Sequence, residues 1–191
     1  MGLTSVVAFK KNIELIYIAS SYTKQDVGIT CASDPTIDNT LRFANTRIVH
    51  DQYNLSRQEK VENIVQYAVK SQQYPFLRVC WEEKGGKNCC HCEKCYRTIF
   101  GILAAGGDPN QFGFTYTSKL NRKIRYELLY KINLTEGQRI FWKDIQKSIM
   151  QKDIGSQYQW ITNINFDDIN SNWRKLRKKI GKCKRLILGR K

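Results

Sequence analysis

Cys80-Trp81-Glu82-Glu83-Lys84-Gly85-Gly86-Lys87-Asn88-Cys89-Cys90-His91-Cys92-Glu93-Lys94-Cys95 gathers five of the seven cysteines of a 191-residue chain. The spacing Cys80-x8-Cys89-x2-Cys92-x2-Cys95 lets four thiolates converge on one tetrahedral ion, with zinc–sulfur distances of about 2.3 Å. The last Cys-x2-Cys step falls where a helix begins. There the helix dipole and unpaired amides favour thiolate charge, and the i,i+3 spacing sets both sulfurs on one face. Four sulfurs and no water position describe a closed, structural zinc site. Lys84, Gly85, Gly86, Lys87 and Asn88 do not suit a core loop, which argues against unligated core cysteines. Cys90 or His91 could stand in for one of the four, although adjacent residues rarely converge on one metal. The odd cysteine count, in a chain without a secretory leader, points the same way. Cys31 and Cys183 read as small apolar residues.

Working outward, Phe76-Leu77-Arg78-Val79-Cys80 reads as a strand entering the cluster. Ile99, Phe100, Leu103 and Ala104 mark a helix leaving it, stopped at Gly106-Gly107. Nearer the start, Ile13 to Ala19 is an apolar, β-branched strand ending at Ser20-Ser21, and Thr46-Arg47-Ile48-Val49-His50 is a second. Ser56-Arg57-Gln58-Glu59 is a capping box opening a helix whose apolar stripe is Val61, Ile64, Val65 and Ala68. From Tyr22 to Ala44 there is little periodicity, and turn formers cluster at Ser33-Asp34-Pro35 and Asp38-Asn39, as in an ordered, ligand-facing loop.

Strands too apolar for one wet face, alternating with helices, predict parallel strands joined by helical crossovers, part of an α/β sheet. Beyond residue 115 the pattern turns helical. Ile124, Leu128, Leu129 and Ile132 mark one segment, and Ile140, Phe141, Ile145 and Ile149 the next. Trp173, Leu176, Ile180, Cys183 and Ile187 space out a basic amphipathic helix over 171–191. The expected organisation is an α/β half-domain over 1–110, with the zinc knuckle at 80–95, and a helical basic C-terminal region over 111–191.

The formal net charge is +15, and it is unevenly placed: residues 1–95 carry 12 Lys/Arg against 10 Asp/Glu, and 96–191 carry 20 against 7. Such a field favours phosphate-rich partners without choosing among nucleic acid, nucleotide and anionic lipid. Neither Val6 to Phe9 nor Leu15 to Ala19 is long enough for a signal-peptide core, and no run approaches the ~18 apolar residues of a membrane span. A soluble, cytoplasmic protein is expected.

In open α/β sheets ligands bind outside the carboxyl ends of the strands, which here carry Ser20-Ser21, His50-Asp51 and Cys80-Trp81. Arg57, Lys60, Arg78, Lys94 and Arg97 lie near these ends and could neutralise phosphates or a developing anion, or be solvated surface charges. His50 reads more readily as a hydrogen-bonded structural histidine than as a base.

Taken together, Ile16 to Tyr22, Ser33-Asp34-Pro35, Ile48-Val49-His50-Asp51, Leu77 to Trp81 and Asn88 to Thr98 resemble the PP-loop ATP pyrophosphatase superfamily. The likeness is to the C-terminal half of members related to 7-cyano-7-deazaguanine synthase, over about residues 13–107, and the cysteine spacing is its most specific element. The resemblance implies part of a doubly wound, parallel-sheet α/β fold of the nucleotide alpha hydrolase-like kind, in which ATP adenylates a substrate oxygen, pyrophosphate leaves, and a nitrogen nucleophile displaces AMP. Zinc is structural in that scheme. The superfamily's Ser-Gly-Gly-x-Asp-Ser phosphate loop occurs nowhere in these residues: Gly85-Gly86 lies inside the knuckle and Gly106-Gly107 at a helix end. The chain therefore resembles an enzyme deprived of its N-terminal half, inactive toward ATP unless another chain or segment supplies that loop.

On this reading the chain is the zinc-bearing part of an ATP-dependent ligase or amidation enzyme, with Ser33, Asp34 and Asp38 in the substrate loop and Arg57, Arg78, Lys94 and Arg97 as anion contacts. Ser20, Ser21 and Asp51 complete the candidate site. An unpaired sheet edge would invite a nucleotide-binding partner or a second copy. The alternative is a zinc-knuckle RNA-binding protein in which Trp160, Trp173 and Tyr158 stack on bases. Ten Lys/Arg among residues 174–191 raise a membrane-surface anchor as a third idea, against a solvated helix packed through Trp173, Leu176 and Ile180.

Overall fold

The computed structural model describes residues 2–26, 28, 29, 31–152, 154–170, 176, 179 and 180. The predicted helix over 171–191, with Trp173, Cys183 and Ile187, thus lies almost wholly outside the described residues. Backbone contacts divide the chain into two compact units, 1–59 and 60–191.

The first unit opens with helix α1 (Gly2–Lys10) and strand β1 (Leu15–Ala19), followed by the short helix α2 (Pro35–Asp38), strand β2 (Arg42–Phe43) and strand β3 (Thr46–Asp51). β1 and β3 pair in parallel, Leu15 opposite Arg47 and Ala19 opposite Asp51. Alternation in β3 turns Thr46, Ile48 and His50 inward, as the two-residue period of a strand requires. The Thr46 hydroxyl donates to the Ile13 carbonyl at 2.6 Å, and the Ser20 N–H carries the ladder past the strand ends to the Asp51 carbonyl at 3.0 Å. β2 folds back antiparallel on β3, with Phe43 opposite Thr46, through a turn that holds Ala44 at φ 49°.

The sheet is therefore mixed, in the order β1-β3-β2. The stretch read as one long loop contains α2 and β2, both too short for periodicity to reveal. Asp34 builds α2: its carboxylate accepts the Thr36 N–H at 2.8 Å as the N-cap, and Pro35 supplies the φ that a first helical residue needs.

Helix α3 (Arg57–Ser71) runs through the division between the units. Its predicted capping box is present: the Ser56 N–H donates to Glu59 Oε2 at 2.7 Å, and the Glu59 N–H donates to Ser56 Oγ at 3.2 Å. In the second unit, Val65 and Ala68 join a core built around helix α4 (Glu93–Ala104). Tyr96, Ile99, Phe100 and Ile102 are wholly buried, so α4 is covered on nearly every side rather than along one stripe. Gly106, at φ 82°, closes it while the Gly107 N–H reaches back to the Ile102 carbonyl at 2.9 Å, a Schellman ending.

Helices α5 (Ser118–Tyr130) and α6 (Glu136–Gln151) follow, each begun by a threonine, Thr117 and Thr135, whose hydroxyl accepts an amide of the first turn. Tyr96 donates its phenol to Glu127 of α5 at 2.6 Å. The Trp142 indole N–H and the Gln138 amide of α6 donate to the two oxygens of Glu93, at 3.0 and 3.2 Å. Phe100 meets Trp142, Tyr158 and Trp160 with ring centroids 5.4–6.1 Å apart, the spacing of favourable aromatic pairs.

One predicted element is absent. Phe76–Cys80 belongs to no strand or helix. Its amides are satisfied otherwise: the Leu77 N–H donates to the Phe112 carbonyl at 3.0 Å, and the Asn88 side chain serves the rest. An apolar run records that a segment is half-buried, not which group pairs with its backbone. A third parallel strand is thus not part of the described sheet.

Gly113 lies beside this segment at φ 86°, and a Cβ there would stand 2.4 Å from the Phe76 ring. Gly113→Ala should lower the free energy of unfolding by about 1–2 kcal/mol in urea denaturation. Gly85→Ala, at a position with no left-handed backbone and only the Glu83 carboxylate nearby, should stay within about 0.5 kcal/mol.

Candidate metal centre

Cys80 ends the Phe76–Cys80 segment, Cys89 sits in the following turn, Cys92 is the N-cap of α4, and Cys95 lies in its first turn. Their sulfurs all fall within 4.8 Å of one another. Cys89 Sγ is 3.8 Å from Cys95 Sγ, and Cys92 Sγ is 3.9 Å from Cys80 Sγ. A tetrahedron with metal–sulfur bonds of about 2.3 Å has edges of about 3.8 Å, whereas a disulfide would need about 2.05 Å. The four cysteines are free thiols, close enough to hold a metal ion. Cys80, Cys92 and Cys95 are buried and Cys89 half-buried, so the quartet is closed on three sides.

Asn88 holds the two halves of the cluster together. Its Oδ1 accepts the N–H groups of Val79 and Cys80 at 3.1 and 3.3 Å. Its Nδ2 donates to the carbonyls of Leu77 and Gly113 at 2.8 and 3.0 Å. One amide side chain thereby replaces a neighbouring strand and fixes the approach of Cys80. Sequence reasoning missed this residue, because an asparagine after Gly-Gly-Lys carries only a turn signal.

The turn itself depends on Cys90, whose φ of 54° reverses the chain so that the His91 N–H donates to Cys89 Sγ at 3.4 Å. Cys90 Sγ accepts the Thr115 N–H at 3.3 Å and is not one of the converging four. His91 is exposed, donates through Nδ1 to the Cys89 carbonyl at 2.8 Å, and forms with Glu82 and Cys89 a second, open trio of donors.

The thiols differ in acidity. Burial opposes ionisation of Cys80, but the amides of Cys89, Glu83 and Glu82 and the Cys89 side chain outweigh it and bring its pKa down to about 6. Burial pushes Cys92 up to about 11 and raises Cys95 further. Holding a divalent cation requires all four as thiolates, so binding expels protons and weakens in acid.

The first unit brings other candidates together. The parallel register sets His50 opposite Ile18 and Asp51 opposite Ala19, so Ser20, Ser21 and Asp51 share the carboxyl end of the strand pair. His50 Nδ1 donates to Asp38 Oδ2 at 2.7 Å, and Ser33 Oγ donates to the same oxygen at 2.6 Å. The ring also meets Tyr53 edge-on, with centroids 5.5 Å apart. His50 Nε2 is sealed from solvent and has no polar partner among the described residues. In this arrangement the imidazole holds α2 against β3.

Burial opposes ionisation of Asp38, yet the hydrogen bonds from Ser33 and His50 prevail and hold its carboxyl below the ordinary range. Asp34 is occupied in capping α2.

Among the basic candidates, Arg57 is half-buried in the first turn of α3. Arg78 is exposed and donates to the Glu83 carbonyl at 2.6 Å. Lys94 places its ammonium 3.3 Å above the ring of Trp81, itself 76 % exposed. Arg97 is buried, pairs with Glu93 at 3.4 Å, and lies over the Phe141 ring at 4.4 Å. The Glu93–Arg97 pair thus links the knuckle helix to α6, a role that their i,i+4 spacing hinted at only in part.

Comparison with protein-family models, curated proteins and solved structures finds no match to the chain. No helix among the described residues is long and apolar enough to cross a membrane.

Asn88→Ala should weaken metal retention about 10–100-fold against a chromophoric chelator, as loss of an outer-shell partner does, whereas Lys87→Ala, at an exposed position, should leave it unchanged. Asp38 has a second, independent signature. Its depressed value stabilises the folded chain above the unfolded carboxylate's pKa of about 4, and the gain is lost as pH falls through the lower folded value. The stability difference between the wild type and Asp38→Asn, from urea unfolding between neutral and acid pH, should accordingly shrink at the acid end; parallel profiles would contradict the assignment.

Proposed function

We propose that the four cysteines hold zinc as a structural ion, and that the chain is the zinc-bearing, substrate-side part of a PP-loop-like ATP-dependent ligase or amidation enzyme. The observation that carries the reading is the cluster: four sulfurs at tetrahedral spacing, drawn from a loop segment and the helix after it, in the order of the 7-cyano-7-deazaguanine synthase group. A four-thiolate donor set suits zinc and leaves no position for a water nucleophile. Zinc would pin the entry of α4 and polarise no substrate.

The parallel pairing of β1 with β3 supports a partial doubly wound architecture, in which β1 forms the outer edge of the described sheet. That edge offers backbone donors and acceptors to a further parallel strand, and we assign it to a nucleotide-binding segment or chain. In the first unit Ser20, Ser21 and Asp51 at the strand ends would face the substrate; in the second, Arg78 and Lys94 flank the knuckle and would serve as anion contacts there. ATP would be held by a Ser-Gly-Gly-x-Asp-Ser loop that these 191 residues do not contain. Adenylation of a substrate oxygen, release of pyrophosphate and displacement of AMP by a nitrogen nucleophile would then need both parts.

Pyrophosphate release measured with the zinc-loaded chain alone, and then with the product of an adjacent reading frame encoding that loop, tests the proposal. The chain alone should release none, and the pair should release pyrophosphate in a manner abolished by Cys95→Ser. Turnover of ATP to AMP and pyrophosphate by the chain alone would refute it, as would an inert pair.

A further inference from the structure

The second unit carries a surface that the ligase reading leaves unused. On α5, Lys119, Arg122, Lys123, Tyr126 and Tyr130 recur at three- and four-residue steps, within about 100° of arc at 100° per residue. The opposite side of the helix is the buried one, with Ile124 and Leu128 fully enclosed. Lys119, Arg122 and Lys123 are exposed, and none lies within ion-pair distance of a described carboxylate. Arg125 flanks them, its guanidinium 6.0 Å from the Trp160 ring.

The one acidic group on the helix is committed elsewhere. Glu127 accepts from the Tyr96 phenol at 2.6 Å and from Lys131 at 3.2 Å. Residues 118–131 thus present five cations against one engaged carboxylate. Tyr126 and Tyr130, 38 % and 50 % exposed, stand with centroids 5.4 Å apart and a tilt of 36°, forming one continuous aromatic strip at the end of the basic stripe.

We infer that this face of α5 binds single-stranded RNA, its cations tracking the phosphates and its tyrosine pair stacking bases. The chemistry selects that occupant. A row of exposed cations that outnumbers its carboxylates, with Lys123 sharing Glu127 only through its charge, complements a polyanion, and adjacent exposed aromatic rings serve unpaired bases, whose faces are free, better than a duplex, whose faces are covered. About 16 Å of helix axis separates Lys119 from Tyr130, room for about four phosphates of a stacked strand. An anionic membrane fits worse: among the residues of α5 only the two tyrosines are large, apolar and exposed, so nothing aliphatic is available to enter the acyl region.

The aromatic residues singled out from sequence do not supply this surface. Tyr158 is buried, Trp160 is half-buried against Phe100, and Trp173 lies outside the described residues. The inference stands independently of the ligase proposal and survives its failure.

The test is fluorescence anisotropy of the full zinc-loaded chain with a labelled mixed-sequence single-stranded RNA, across a series of NaCl concentrations. Lys119→Gln/Arg122→Gln/Lys123→Gln should reduce the slope of log K against log salt by about 2, at about 0.7 per phosphate contact. Tyr126→Ala/Tyr130→Ala should weaken binding about tenfold or more at fixed salt, with the slope unchanged. Lys143→Gln/Lys147→Gln/Lys152→Gln, which removes the same charge from α6 and its C-cap, where Lys143 and Lys152 are paired with Asp167 and Glu62, should leave both quantities near wild type. Equal losses from the α5 and α6 triples, or no loss from the tyrosine pair, would reduce the attraction to net charge and overturn the inference. So would binding to phosphatidylglycerol vesicles that the α5 triple abolishes while RNA affinity is untouched. Circular dichroism melting of each variant checks that these substitutions, exposed except for the half-buried Lys152, leave the fold intact.

Discussion

The second unit gathers four thiols at a spacing that one tetrahedral cation would satisfy. Cys80, Cys92 and Cys95 are buried, and between Cys80 and Cys89 the chain runs through Trp81 to Lys87, every residue of it exposed. Such a loop buries no apolar surface of its own to offset the entropy of ordering it. Asn88 anchors its end through four hydrogen bonds, and the cluster anchors the rest. A divalent ion would convert weakly acidic thiols into ligands and supply folding free energy where hydrophobic burial is thin.

From that centre the order passes along α4. The helix begins at a cysteine, and its first residue, Glu93, receives the Trp142 indole and the Gln138 amide of α6 and pairs with Arg97. One turn on, Tyr96 reaches Glu127 of α5. The helix that carries two of the four cysteines is therefore the one around which α5, α6 and the aromatic cluster of Phe100, Trp142, Tyr158 and Trp160 assemble. Displacing the knuckle displaces the origin of these contacts, so an ion held there would act on the interior of the unit as well as on its surface. The first unit is held differently, by strand pairing and by the Ser33–Asp38–His50 chain.

Much of this was legible in the residues. The four-cysteine spacing, the capping box at Ser56, and the stripes of α3, α5 and α6 each follow from a local period that tertiary context leaves in place. The parallel pairing of β1 with β3 was anticipated from strands read as covered on both faces, but that premise does not hold: β1 has no buried residue, Tyr17 and Ala19 are exposed, and β3 buries only Thr46, Ile48 and His50. The backbone pairing of Phe76–Cys80 was not legible, because its partner is the side chain of a loop asparagine rather than another strand. Nor were α2 and β2, four and two residues long, which are shorter than any period. His50 and Arg97 show the remaining limit: composition marks them as polar and close to a candidate site, but only their neighbours, Asp38 for one and Glu93 and Phe141 for the other, reveal that they brace the fold.

Both functional readings rest on how these elements are fixed. The ligase proposal needs a rigid knuckle and ordered strand ends, each within its own unit, and the proposed RNA-binding face of α5 needs a helix held in place by Tyr96 and the core beneath it. X-ray absorption at the zinc edge, on protein purified without added chelator, tests the shared foundation most directly. One zinc per chain surrounded by four sulfurs at about 2.3 Å is the predicted result. A first shell containing nitrogen or oxygen, or a protein that folds and stays monodisperse with no stoichiometric metal, would contradict it.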